Sequence, residues 1–181
     1  MGKDITLPIE DGYVNVRVGA IIEKDGKILM AGNDKVNYCY SVGGRIRFGE
    51  SAEDAVRREV LEETGWALEI DRLGFIHEDF FWGDMDEKRG KLIYEIAFYF
   101  FMKTPENFQP RRESLEAEGR GERLEWIAPD TEKTIYPAFF RTELAKPVPY
   151  VRHIVTDERE QNKTKDPSVA CGDSSPFRGA K

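Results

Sequence analysis

Val14, Val16, Val18, Ala20 and Ile22 alternate with Asn15, Arg17, Gly19 and Ile21, the two-residue period of a half-buried strand. Asp25-Gly26 then marks a tight turn, and Lys27 to Ala31 reads as its hairpin partner. Tyr38 to Val42 predicts another short strand, ending at Gly43-Gly44 and followed by a glycine-bearing loop to Glu50. Ser51 to Thr64 has helical spacing. Ser51 and Asp54 form a capping box at its start, and Gly65 suits the left-handed position after its end. Leu68 to Phe81 reads as extended, leading into a polar hairpin loop through Gly83, Asp84, Asp86 and Gly90. Leu92, Tyr94, Ile96, Phe98, Phe100 and Met102 alternate along a strand whose other face is also largely apolar, which places it between two layers. The charged stretch 104–122, with Pro105 and Pro110, reads as a loop, Leu124 to Ile127 as a strand, and Tyr136 to Ala145 as a helix. This order predicts one α/β domain over residues 1–156, an α/β/α sandwich with a mixed β-sheet. The polar stretch 157–181 is expected to be a disordered tail.

Composition changes this picture little but narrows the partners. With 181 residues, 40% hydrophobic and 34% charged, the chain has the make-up of a soluble globular protein. A net charge of −7 argues against a general nucleic-acid binder, which needs a basic surface to displace counterions. An acidic protein can still hold a small phosphorylated ligand when divalent cations stand between carboxylates and phosphates. Cys39 and Cys171 have no metal-ligand or redox spacing and read as free thiols. The start of the chain lacks a basic region followed by an apolar run, and the longest apolar run contains Glu95, so a cytoplasmic protein without membrane contact is expected.

The candidate chemistry lies between Gly44 and Trp66. At ~100° per residue, Glu59, Glu62 and Glu63 share one arc of the helix with Ala52, Ala55 and Val56, the face that packs inward. Partial burial of three carboxylates costs several kcal/mol per ion unless something offsets it. A hard cation such as Mg²⁺ does so naturally, although a solvated acidic helix face would show the same spacing.

The full run adds order to that arc. Gly44, Glu50, Arg58, Glu59, Val60, Glu62, Glu63 and Gly65 stand in the register of the Nudix box, with Trp66 departing from its final aliphatic position. The chain thus resembles the Nudix hydrolases. The resemblance implies Mg²⁺ (or Mn²⁺) held by Glu59 and Glu63, with Glu62 as a further ligand or water-orienting group and the Gly44 carbonyl completing the shell. It implies a structural ion pair of Glu50 with Arg58, and a general base on the loop before the last core strand. Among Glu113, Glu116, Glu118 and Glu122 in that loop, Glu118 is favoured because a Gly-Arg-Gly turn follows it.

The reaction implied is hydrolysis of a pyrophosphate bond in a nucleoside diphosphate joined to another moiety. Nucleotide sugars, dinucleoside polyphosphates, ADP-ribose and nucleoside triphosphates all qualify. The proline that often marks ADP-ribose enzymes is missing between Trp66 and Gly90, and Trp82 stands where dinucleoside polyphosphate enzymes often carry tyrosine. A non-catalytic nucleotide-sensing domain is the alternative, and an isomerase using Cys39 a third reading. Arg17 is a candidate phosphate contact and Trp82 a candidate base-stacking ring. Asp84, Asp86 and Glu87 do not make a calcium loop, because Lys88 and Arg89 occupy positions where a ligand and glycine are needed. A small nucleotide is the expected partner, and a homodimer is compatible with the resemblance.

Overall fold

The computed structural model describes residues 2–32, 37–83, 86–111, 123–128, 130–146 and 148–162. Among the described residues, eleven strands and two α-helices run in the order β1 (Thr6–Ile9), β2 (Gly12–Ile21), β3 (Glu23–Lys24), β4 (Lys27–Gly32), β5 (Tyr38–Ser41), β6 (Gly43–Arg45), α1 (Ala52–Thr64), β7 (Ile70–Trp82), β8 (Leu92–Met102), β9 (Arg123–Ile127), β10 (Thr134–Tyr136), α2 (Phe140–Glu143) and β11 (Arg152–Asp157). The larger sheet has the order β1-β2-β8-β7-β11, with β6 also on β2. Its central pair β2/β8 is parallel, β7/β8 antiparallel and β7/β11 parallel, so the sheet is mixed. The smaller sheet joins β10, β5, β4 and β3, with β9 on the other side of β4.

The two faces of β2 explain the layering. Val18, Ala20 and Ile22 join Phe100, Val56 and Val60 in one core beneath α1. Ile21 joins Phe75, Tyr99, Phe140 and Leu144 in a second core on the side of α2. The long sheet therefore lies between the two helices. The β3/β4 hairpin turns at Asp25 (φ 50°) and Gly26 (φ 71°), the paired left-handed conformation that a two-residue hairpin turn requires.

The helix expected over residues 136–145 is largely absent. Thr134–Tyr136 instead pairs in parallel with Tyr38–Tyr40, and only Phe140–Glu143 is helical. Pro137 carries no N–H for a helical ladder, and the residues before it are recruited by β5. Strands β1, β6, β10 and β11 were not expected. Pro8 is tolerated in β1 because that strand is an edge. Among the described residues, no helix is long and apolar enough to cross a membrane.

Candidate active site

Helix α1 is set by its ends. The Ser51 hydroxyl accepts the Asp54 N–H at 3.1 Å, and Gly65, at φ 76°, returns its N–H to the Leu61 carbonyl at 2.9 Å. The inward stripe Ala55, Val56 and Val60 is buried in the first core, and Glu59 and Glu63 continue it at 5% and 6% exposure. These two carboxylates meet the backbone of β6, which pairs with Val18 and Gly19 of β2. The Gly43 N–H donates to Glu63 Oε1 at 2.9 Å. At Gly44 a β-carbon would stand 2.3 Å from Glu59 Oε1, so only glycine lets that carboxylate lie against the strand.

Arg58 is the hub of the surrounding charges. Its Nε and Nη2 donate to the two oxygens of Glu50 at 2.8 and 2.9 Å, a bidentate bridge. Its Nη1 donates to Glu59 Oε1 at 2.6 Å and to Glu62 Oε2 at 3.1 Å, and Nη2 also reaches the Arg45 carbonyl at 3.1 Å. Burial works against the charge on Arg58, but the hydrogen bonds to Glu50 and Glu59 outweigh it and hold its pKa above the ordinary value. The Arg58 bond likewise pulls Glu50 below the usual carboxylate range. Burial raises Glu59 despite the opposing pull of Arg58.

Of Glu59, Glu62 and Glu63, Glu62 does not join the other two. Glu62 is turned towards Arg58 and towards Arg47, whose Nη1 lies 3.7 Å from Glu62 Oε1. Among the described residues, no three His, Cys, Asp or Glu side chains gather closely enough to cage a metal ion. Mg²⁺ does not require such a cage, since it takes one or two carboxylates and completes its shell with water and phosphate oxygens. Glu59 and Glu63 are hard oxygen donors, both buried, with a strand surface kept bare of side chains by Gly43 and Gly44. The donor set fits that ion.

Beside this edge lies the face of the long sheet that also carries the second core. Registration of β2, β8 and β7 sets Asn15, Glu95 and Asp79 in one row, and Arg17, Ala97 and His77 in the next. The Asn15 amide donates to Glu95 Oε2 at 3.2 Å, and Arg17 Nη1 lies 3.9 Å from the same oxygen. The Glu95 charge, more than any other neighbour, raises the pKa of Arg17, with smaller contributions from Glu59 and Glu63. Burial, reinforced by Glu95 and Glu158, pushes the Asp79 carboxyl up to about 7. Burial, with His153 nearby, pushes His77 down to about 4. Its Nε2 pairs with the Thr156 hydroxyl at 2.8 Å.

The remaining expected residues fall elsewhere. Trp82 lies at the end of β7, on the face opposite Arg17, with its indole N–H donating to the Glu158 carbonyl at 3.3 Å. It is not brought to the glutamates. Glu118 lies outside the described residues, as do Asp84 and Cys171. Cys39 is buried, its thiol donates to Glu125 Oε1 at 3.1 Å, and burial with that bond pushes its pKa up to about 11. A buried thiol held as a hydrogen-bond donor does not favour an isomerase reading. Two surface clefts open away from the glutamates, one of about 450 Å³ by Lys24, Phe108 and Trp126, the other of about 590 Å³ by Arg57, Arg72 and Phe98. Burial and charge mark the candidate site.

The residues missed from sequence are Asn15, Asp79 and Glu95. Each is a polar side chain at an inward position of an alternating strand, and that position was the available signal.

The NUDIX domain model matches residues 14–151. A stretch of 53 residues, 28% of this chain, is 47% identical to a protein of Methanocaldococcus jannaschii named ADP-ribose pyrophosphatase. The chain spans 31% of the length of that curated relative. Among solved structures, the mutator MutT protein of Bacillus halodurans is similar at a TM-score of 0.53 and 17% identity, over 77% of this chain and 89% of that one. A NUDIX hydrolase of Nitrosomonas europaea is similar at a TM-score of 0.50 and 17% identity, over 78% of this chain and 77% of that one. At those identities the likeness is one of fold.

Proposed function

The chain belongs to the Nudix family, and from that premise we propose that it is a divalent-metal-dependent hydrolase of a pyrophosphate bond in a nucleoside diphosphate derivative. The observation that carries the reading is the burial of Glu59 and Glu63 against a strand edge that Gly43 and Gly44 keep bare. Two carboxylates taken out of water at one edge have a reason to be there if they share a cation.

In this reading Glu59 and Glu63 hold the ion, together with the Gly44 carbonyl. Mg²⁺ or Mn²⁺ held there would supply charge neutralisation for the diphosphate and Lewis acidity towards a water. The chain's own residues do the rest. Arg58 and Glu50 lock the loop after β6 onto α1, fixing the angle at which Glu59 projects. Glu62, less buried than its two neighbours and paired with Arg58 and Arg47, is read as the water-orienting group by the family resemblance. Arg17 faces the substrate's phosphates from β2. Glu118 enters as the general base, by analogy with the family's glutamate before its last core strand. The name of the archaeal relative adds ADP-ribose to the first substrates to try, beside nucleotide sugars, dinucleoside polyphosphates and nucleoside triphosphates.

The test is a substrate panel with Mg²⁺ or Mn²⁺, scored by phosphate release after phosphatase coupling. Wild type is expected to turn over at least one member, and Glu63→Gln to keep its circular dichroism while losing at least ~100-fold in rate. Near-normal turnover in that variant refutes the assignment. Silence across the panel with tight nucleotide binding favours a sensing domain.

A further inference from the structure

Strand β8 is apolar on the α1 side along its whole length, but α1 is too short to cover it. Eleven residues of strand extend about 37 Å, whereas the thirteen residues of α1 make a helix of about 20 Å. The core beneath α1 reaches Val16 and Phe98, and Val14, Ile96, Tyr94, Ile76 and Phe80 lie beyond it. Register across the sheet sets these residues in rows. Leu7, Val14, Tyr94, Phe80 and Asp157 form one row, running from β1 at one edge of the sheet to β11 at the other. Val16, Ile96, Glu78 and Val155 form the next. Leu7 is 53% exposed and Val155 55%, and Val14, Tyr94, Ile96 and Phe80 between them are half-buried.

The charged groups of these rows are paired within the chain. Glu78 accepts the Tyr94 hydroxyl at 2.5 Å on one oxygen and meets His153 Nε2 at 2.7 Å on the other. Those two bonds, Tyr94 first, hold its carboxyl below the usual range. Asp157 accepts from Arg159 Nε at 2.8 Å, and the Arg159 guanidinium lies 4.2 Å over the Phe80 ring. That ring stacks in parallel on Tyr94 at 4.5 Å. A surface whose charges are satisfied beforehand loses its water cheaply, because covering it leaves none of them unpaired. Such rows give a charged partner no unpaired side chain to meet. What complements them is another apolar face with its own charges paired, and a second copy of this chain carries one.

We propose that the part of the long sheet's face beyond α1 is the interface of a two-fold dimer, with Tyr94, Phe80 and Ile96 at its centre and Leu7 and Val155 towards its rims. Five strands and three rows of side chains give flat ground of roughly 500 Å². That is near the top of the ~300–600 Å² found for the largest apolar patch on a monomer. Side-chain relief carries it towards the ~600–1,000 Å² that each partner of a stable complex buries. Two sheets stack face to face at ~10 Å, so the faces meet without rearrangement of either fold. The dimer needs neither metal nor substrate, so it stands or falls apart from the hydrolase reading.

Light scattering on the eluting full-length protein tests the interface. Wild type at ~50 µM is expected at twice the 20.8 kDa of the chain. Val155→Lys and Leu7→Lys change exposed strand positions and are each expected to keep the circular dichroism while weakening dimerisation at least ~10-fold. A two-fold axis brings each substitution into the interface twice. Tyr136→Ser, at an exposed ring of the smaller sheet, is expected to leave dimerisation within about twofold. A wild type that stays at 20.8 kDa up to about 100 µM overturns the proposal, whether the face is then open to a hydrophobic dye or covered by residues 163–181. A dimer that neither lysine variant weakens overturns it equally.

Discussion

Asp79 and Glu95 face each other across β7 and β8, and the pair shows how the sheet face near the site trades stability for charge. Burial is the main reason the Asp79 carboxyl is raised from 3.8 to about 7, and the Glu95 and Glu158 charges add to it. A group raised on folding keeps its proton in the folded chain where the unfolded chain has already lost it. Its contribution is therefore most favourable in acid and is lost as pH climbs from about 4 to about 7. Asp79→Asn removes that dependence. The variant is expected to melt at a higher temperature than wild type at about pH 8 and to show a flatter melting curve against pH between those limits. Superimposable pH profiles of Tm for the two proteins would contradict the account.

At the scale of elements, α1 and β11 differ in how much of each could be read in advance. Helix α1 announces itself: Ser51 at its start, Gly65 after its end and a small-residue stripe between them agree on its limits. Glu59 and Glu63 extend that stripe, so their burial follows from the same period that defines the helix. Strand β11 gives no comparable signal. Arg152, His153, Thr156 and Asp157 are polar, and the strand exists because the edge of β7 pairs with it. Arg152 lies 4.8 Å over the Phe75 ring and pairs with Glu143, and Thr156 meets His77. A chain ending at residue 151 is expected to lose at least ~2 kcal/mol in these contacts, a drop of roughly 4–8 °C in Tm for a chain of this size. An unchanged Tm would show that β11 does not support the sheet. The misread helix at 136–145 has the same origin as β11, because pairing with a distant strand overrode a local pattern. The polar row Asn15, Glu95 and Asp79 was hidden for a related reason, since register across three strands cannot be read from any one of them.

At the scale of the whole molecule, an acidic chain sets four of its arginines around the glutamates of α1. The net charge is −7, yet Arg17, Arg45, Arg47 and Arg58 all come from β2, β6 or the adjoining loop and helix, around Glu59, Glu62 and Glu63. The long sheet makes this possible by carrying one apolar face under α1 and a partly polar one on the other side. The central claim is that Glu59 and Glu63 are buried in order to share a divalent ion that holds a diphosphate. Titration of Mn²⁺ into the purified protein by calorimetry, with and without ADP, tests it most directly. The account predicts saturable uptake that ADP strengthens and that Glu59→Gln weakens at least ~10-fold. Absence of uptake in wild type under both conditions, or equal uptake in the variant, would contradict it.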